Sequence, residues 1–247
     1  MSAVTLLERH DWAPGLATFR LSEAATFDAG QFFNLSLPTG DGEDGAKARR
    51  SYSAASAPGA PLEFIITEVT DGGLTPGLFQ LRPGDTLELD PKPQGFFTLR
   101  YVPQARDGWL LATGTGIGPF ISLLRAGELW SHFSHVTLVH GVRERSHLAY
   151  AEELMALRTA RPEQFDYVPC VSREEPPEGG LSGRIPSAIT DGRLAARASR
   201  ELHPDHSQVL LCGNPQMIDD ARKALEGLGL RKHRARQPGH VSFEKYW

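Results

Sequence analysis

Leu111-Ala112-Thr113-Gly114-Thr115-Gly116-Ile117-Gly118-Pro119 is the stretch that decides the fold. An apolar run from Trp109 stops at a glycine-rich turn. Pro119 then suits the first turn of a helix, where a missing N–H costs nothing. Strand, glycine loop and helix start in succession put unpaired N–H groups at the carboxyl end of a strand, a place suited to a phosphate or dinucleotide. The third glycine of a GxGxxG fingerprint is out of place, and no Gly-Lys-Ser/Thr follows, so the loop is neither that fingerprint nor a Walker A loop.

Outward from this loop the same grammar continues. Val136 to Val142, Phe165 to Val171 and Gln208 to Cys212 are further short apolar runs suited to buried strands. Helices are predicted over Ile117–Trp130, Ala149–Ala160 and Pro215–Leu228, the last with Asn214 as N-cap, Pro215 in the first turn and Gly229 just past the end. Alternating strands and helices predict a mostly parallel sheet covered on both faces. The first hundred residues read differently. Gln31 to Leu37, Leu62 to Val69 and Thr86 to Leu89 are rich in aromatic and β-branched residues, and breaks fall at Pro38–Gly45, Pro58–Pro61, Asp71–Gly73 and Arg82–Asp85. Such spacing predicts a small antiparallel barrel or sandwich. The expected architecture is an antiparallel β-barrel over residues 1–100 and a Rossmann-like α/β domain over residues 101–247, with the boundary near Tyr101 to Asp107.

The bulk numbers bound the function. A chain of 247 residues, 40% hydrophobic and 23% charged, suits one or two ordinary domains. The net charge of −4 argues against a generic nucleic-acid surface. No window approaches the roughly 18 consecutive apolar residues of a membrane span, and Met1 to His10 does not read as a signal peptide. Two cysteines, Cys170 and Cys212, cannot build a disulfide framework, a CxxC pair or a four-cysteine iron–sulfur site. The nine histidines show no metal-ligand spacing, and no metal is expected. A cytoplasmic, cofactor-using enzyme is the expectation.

Arg49 to Ser53 reads R-R-S-Y-S. A flavin needs a flat apolar surface against its rings, a cation for its pyrophosphate and donors for its ribityl chain, and Arg50, Tyr52 and Ser53 offer all three. The same segment also suits an ordinary exposed strand with a packed tyrosine. About twenty residues on, Gly72-Gly73-Leu74-Thr75-Pro76-Gly77-Leu78 is a glycine-rich turn leading into an amphipathic stretch through Leu74, Leu78 and Leu81. A capped turn between barrel strands explains it equally well in isolation.

Together, Arg50-Ser51-Tyr52-Ser53 and Gly73-Leu74-Thr75 resemble the FAD signature of the ferredoxin–NADP reductase superfamily. The resemblance implies that Arg50 meets the FAD pyrophosphate, Tyr52 packs on the isoalloxazine, and the Gly73–Thr75 turn binds the phosphates. It also implies that Ile65, Ile66, Thr67 and Glu68 run beside the flavin. The loop carrying Gly114, Gly116 and Gly118 is similar to the superfamily's second glycine signature, with Thr115 near flavin and nicotinamide. Cys212-Gly213-Asn214-Pro215-Gln216-Met217 resembles the element that closes the nicotinamide end, although Cys212 also suits a buried small hydrophobe. Arg143, Ser172, Arg173 and Arg184 match positions around the NADP 2′-phosphate in bacterial members, a dianion that favours guanidinium groups. Glu174, beside Arg173, leaves the ribose-hydroxyl reading of an NADH enzyme open.

The closing Gly239-His240-Val241-Ser242-Phe243-Glu244-Lys245-Tyr246-Trp247 resembles the bacterial branch that finishes in tryptophan. The likeness implies that Tyr246 and Trp247 cover the flavin, Trp247 giving way to NADPH at each turnover. Arg231-Lys232-His233-Arg234-Ala235-Arg236 concentrates positive charge that suits either a solvated face or the docking of an acidic carrier. The implied chemistry is hydride transfer between NADP(H) and FAD, then single-electron transfer to ferredoxin or flavodoxin, in a monomer. Two enzyme rivals are the reductase component of an oxygenase and a free-flavin reductase. A rival of another class is a non-catalytic flavin- or nucleotide-binding regulatory protein.

Overall fold

A computed structural model describes residues 1–37 and 48–246. The whole Pro38–Gly45 break and Trp247 therefore lie outside the described residues.

The chain opens with β1 (Ser2–Ala13) and β2 (Leu16–Ala24), joined by a two-residue Pro14-Gly15 turn in which Gly15 takes φ +71°. Then come β3 (Phe32–Ser36), β4 (Arg50–Ser53), β5 (Pro61–Thr67), the single turn α1 (Thr75–Leu78) and β6 (Thr86–Gln94). All six strands pair antiparallel, in the order β4-β3-β6-β1-β2-β5. The sheet's two edges meet where the Ala55 N–H donates to the Glu63 carbonyl at 2.7 Å. Its interior is packed by Leu6, Phe19, Phe33, Leu35, Phe64 and Ile66. The strand expected over Thr86–Leu89 runs on through Pro91 and Pro93. There β1 has already ended, so no ladder partner is lost on that side. The amphipathic stretch after Gly73 makes one helical turn only.

The second sheet is parallel. It contains β7 (Ala105–Thr113), β8 (Phe133–Val142), β9 (Phe165–Val171), β10 (Leu181–Ser182), β11 (Ser207–Gly213) and β12 (Val241–Lys245), ordered β10-β9-β8-β7-β11-β12. Its central strands are buried on both faces, which is why they read as continuous apolar runs. Between them lie α2 (Gly118–Ala126), α3 (Leu129–His132), α4 (Ala151–Ala160), α5 (Ile185–Thr190), α6 (Arg193–Ala198) and α7 (Pro215–Gly227). The helix expected over Ile117–Trp130 is broken in two, because Gly127 turns left-handed at φ +82° and donates its N–H to the Leu123 carbonyl. At α7 the Asn214 side chain accepts from the Gln216 and Met217 N–H groups, and Gly229 follows at φ +84°.

Antiparallel pairing ends at Gln94 and parallel pairing begins at Ala105. The two sheets nevertheless share a core: Ala13, Leu16, Ala55 and Ile65 pack with Phe120, Ile121 and Leu124 of α2. Successive strands β7, β8, β9 and β10 step outward in one direction, and the chain then returns to lay β11 on the other side of β7. The carboxyl ends of β7 and β11 therefore flank the switch point of the sheet, where an open α/β sheet leaves a crevice for a ligand.

Candidate functional site

That crevice is a cavity of about 790 Å³. Thr113, Gly114 and Thr115 line it from the end of β7 and the loop after it, and Gly213, Asn214 and Met217 from the end of β11 and the start of α7. Arg143 enters from the end of β8, Ser172 and Arg173 from the end of β9, and Arg184 from the start of α5. Leu16 and Thr67 close it from the barrel side, and Tyr246 from the end of β12.

Gly116 and Gly118, expected to bind nucleotide, also serve close packing. A Cβ on Gly116 would come within 2.5 Å of the Cys212 carbonyl oxygen, and one on Gly118 within 3.2 Å of the Ile65 side chain. Both are buried, so they let the two loops and the barrel approach. Gly114 differs: it sits at φ +53° with nothing within 4 Å of an added Cβ, so its backbone faces open space.

The loops carrying the arginines are zipped together by the Arg173 N–H donating to the Arg143 carbonyl at 2.9 Å. Among the described residues none of Arg143, Arg173 and Arg184 is in an ion pair, whereas Arg125, Arg193 and Arg197 all are. Three uncommitted guanidinium groups at one rim are an anion site in waiting. Glu174 stands next to Arg173 in the chain. Its carboxylate accepts the Arg145 backbone N–H.

On the barrel side, Arg50 is exposed, and among the described residues its guanidinium bonds only its neighbour's carbonyl, Arg49 O, at 2.9 Å. The Ser51 hydroxyl donates to Asn34 Oδ1 at 2.8 Å. Tyr52 is half-buried, and burial pushes its phenol up to about 12, against the pull of Arg50, so it is a neutral ring. Ile66 and Leu74 point into the barrel core, while Thr67 is exposed on the cavity side and Glu68 lies beside Gly15. The Thr75 hydroxyl is committed to its own turn, accepting the Val69 N–H at 2.8 Å and donating to the Val69 carbonyl. What the turn has left for an anion is the N–H groups of Gly73, Leu74 and Thr75, which have no partner among the described residues.

Sequence reasoning missed Glu244. On β12 its side chain shares a face with Tyr246, and Oε2 accepts from the Ser53 hydroxyl at 3.3 Å. Burial drives Glu244 up to about 7, partly offset by that hydrogen bond. The Tyr246 ring lies beside Ser53 and Cys212, and its backbone N–H donates to the Gly213 carbonyl at 2.8 Å. Burial and the nearby Glu244 raise the Cys212 thiol well above its ordinary value, so it is a neutral S–H rather than a thiolate. The signal that could have found Glu244 was its i, i+2 spacing from Tyr246. Among the described residues no three His, Cys, Asp or Glu side chains are grouped to hold a metal, and no helix is long and apolar enough to cross a membrane.

A barrel side offering a cation, a flat neutral ring and free amides fits a flavin dinucleotide, and the guanidinium-rimmed crevice fits a second, phosphorylated one. Fold and site thus define a two-domain dinucleotide-dependent oxidoreductase. The Oxidoreductase NAD-binding domain family matches residues 110–223. The flavodoxin/ferredoxin–NADP reductase of Escherichia coli K12 is 39% identical, the match covering 90% of this chain and 88% of that one. The ferredoxin–NADP reductase of Azotobacter vinelandii is 31% identical over 97% and 95% of the two chains. A crystal structure of a ferredoxin NADP+ reductase from Neisseria gonorrhoeae with bound FAD and NADP superposes with a TM-score of 0.91 at 32% identity, covering 99% of this chain and 98% of that one. The chain belongs to the flavodoxin/ferredoxin–NADP reductase family.

Proposed function

We propose that this protein is an FAD-dependent ferredoxin or flavodoxin–NADP+ reductase, exchanging a hydride between NADP(H) and FAD and single electrons with the carrier. The observation that carries the reading is the convergence, at one switch point, of the Gly114 and Gly213 loops, three arginines in no ion pair among the described residues, and the Ser53–Glu244–Tyr246 cluster. The flavin, when bound, supplies the exchange between two-electron and one-electron chemistry.

The chain's own residues bind, orient and screen. Arg50 and the Gly73–Thr75 amides hold the FAD pyrophosphate, Tyr52 stacks on one ring face, and Ser51, Ser53, Ile65, Ile66, Thr67 and Glu68 frame the flavin from β4 and β5 and the turn after β5. Gly114, Thr115, Gly213, Asn214 and Met217 hold the nicotinamide half of NADP(H), while Gly116 and Gly118 keep the loops close. Arg143, Ser172, Arg173 and Arg184 take the 2′-phosphate. Tyr246 covers the other side of the flavin and excludes water, and Trp247, outside the described residues, keeps the role that the family resemblance implies. Cys212 supports Tyr246 with a neutral thiol, and Glu244 holds a proton beside Ser53. The division into a FAD domain and an NADP domain is set near residue 100.

The carrier is assigned to a second cleft, where Phe96 is 78% exposed and stacks edge-on against Tyr101 at 5.6 Å. Arg100, Lys232 and His233 rim that cleft, which reaches Glu244, and Arg234 and Arg236 follow in the chain. A protein working there with soluble carriers is assigned to the cytoplasm, as a monomer. The test is a visible spectrum of the purified protein before and after anaerobic NADPH, with NADH in parallel. Flavin absorbance bleached by NADPH and only weakly by NADH is expected. Equal bleaching would remove the 2′-phosphate assignment, and no flavin even after added FAD would overturn the reading.

A further inference from the structure

Beneath the two glycine loops lie two hydrogen bonds that the reading above does not use. His140, near the end of β8, is 0% exposed, and its Nε2 lies 3.0 Å from the Gly114 carbonyl oxygen. A carbonyl only accepts, so Nε2 carries the hydrogen. Burial pushes the ring down to about 4, partly offset by that bond, so the imidazole is neutral near pH 7. Nδ1 is then a bare lone pair, and it has no partner among the described residues. One strand over, Thr113 Oγ1 accepts the Asn214 backbone N–H at 3.0 Å. The first bond fastens the loop after β7 and the second fastens the N-cap of α7.

We propose that His140 is a positioning residue for NADP(H), fixing the aim of the Gly114–Thr115 backbone from below, with Thr113 doing the same for the Asn214 turn. The inference rests on the reading of the cavity as the NADP(H) site. Gly114 is where such a tether matters: it is left-handed, exposed and free of crowding, so no packing above it holds the peptide. An aliphatic side chain at position 140 would fill the same space on β8, as Val139 and Val142 do nearby, but the Gly114 carbonyl would lose its donor. His140 is walled off from the cavity, so it acts only through the loop.

The experiment compares His140→Leu, His140→Gln and His140→Asn in the FAD-loaded protein. NADP+ binding is titrated by the perturbation of the flavin spectrum, and hydride transfer from NADPH is followed by anaerobic stopped flow. Glutamine can bring an amide N–H to the place of Nε2, whereas asparagine stops short of it. Leucine and asparagine are expected to weaken NADP+ binding about three- to tenfold and to slow hydride transfer, with glutamine staying within about twofold of the parent, as befits one hydrogen bond. Arg173→Ala serves as the control for the cavity: if it leaves NADP+ binding unchanged, the cavity reading falls first. If Arg173→Ala weakens binding while His140→Leu and His140→Asn bind and react like the parent, the positioning role is overturned, even where thermal stability drops. Should the leucine variant not fold, glutamine against asparagine decides, and equal constants for the two overturn the proposal.

Discussion

At the scale of single residues, the site is a cluster of groups kept neutral by burial. Tyr52, Tyr246, Cys212 and His140 all hold their uncharged forms near pH 7, and Glu244 is poised at about 7. Glu244 binds its proton more tightly folded than unfolded, where the carboxyl titrates near 4.5. Between those values the folded chain holds more protons than the unfolded one, so this contribution to stability is full below pH 4.5 and lost as pH rises through 7. Glu244→Gln removes the titration. In the FAD-free protein the variant should match the parent at pH 4 and exceed it at pH 8 by up to about 3 kcal/mol. Urea unfolding at both pH values measures this, and a parent whose advantage or deficit does not change with pH would show that the carboxyl is not buried as described.

At the scale of elements, two glycine loops are pressed into contact by the parallel pairing of β7 and β11. Gly116 has no room for a side chain, since an added Cβ meets the Cys212 carbonyl at 2.5 Å. Gly116→Ala should therefore push the loops apart, costing about 1–3 kcal/mol of stability and weakening NADP+ binding. Calorimetry and an NADP+ titration check both, and a variant with unchanged melting and affinity would refute the packing role. What was legible in the sequence follows the same line. The Gly114 loop, the Asn214 cap and the Arg50–Ser53 strand are local patterns, so their residues announce themselves. β1 and β2 did not, because bulges between Leu6 and Glu8 and between Asp11 and Ala13 break the alternation that marks a strand. Ser53 and Glu244 stand 191 positions apart, and no local pattern could join them. Nor could it separate Gly114, which faces the cavity, from Gly116 and Gly118, which face the protein.

At the scale of the whole molecule, hydride transfer between nucleotides held by different sheets needs the sheets fixed against each other. Besides the shared core, one polar clamp does this. Tyr150 of the parallel-sheet half sits left-handed at φ +61° and donates to Glu63 Oε1 at 2.9 Å, while its oxygen lies 3.0 Å from Thr18 Oγ1. Trp12 Nε1 donates to the same Thr18 hydroxyl at 2.7 Å. Arg125 of α2 bonds Glu63 at 2.9 Å and Glu153 at 2.7 and 2.8 Å. Tyr150→Phe keeps the ring but removes the bridging hydroxyl, which should cost about 1–3 kcal/mol. It should also split thermal unfolding, so that release of flavin fluorescence precedes loss of helix by circular dichroism. A single coincident transition at the parent's temperature would mean that the Tyr150 hydroxyl does not couple the halves.

The charge distribution sets the last expectation at this scale. The protein is acidic overall, at −4, yet Arg231, Lys232, Arg234 and Arg236 fall within six residues next to the cleft that bears Phe96. A local positive field on an acidic body orients an acidic partner toward that mouth and repels it elsewhere, which speeds encounter more than it tightens the complex. Reversing Arg234 and Arg236 to glutamate should slow reduction of ferredoxin or flavodoxin at low ionic strength, and the difference should shrink as salt screens it. NADPH oxidation by a small neutral dye, which needs no docking face, should be unchanged. Steady-state rates across a salt series with both acceptors make the comparison. Equal carrier rates for parent and variant at low salt would move the docking face away from this segment, leaving the nucleotide site as described.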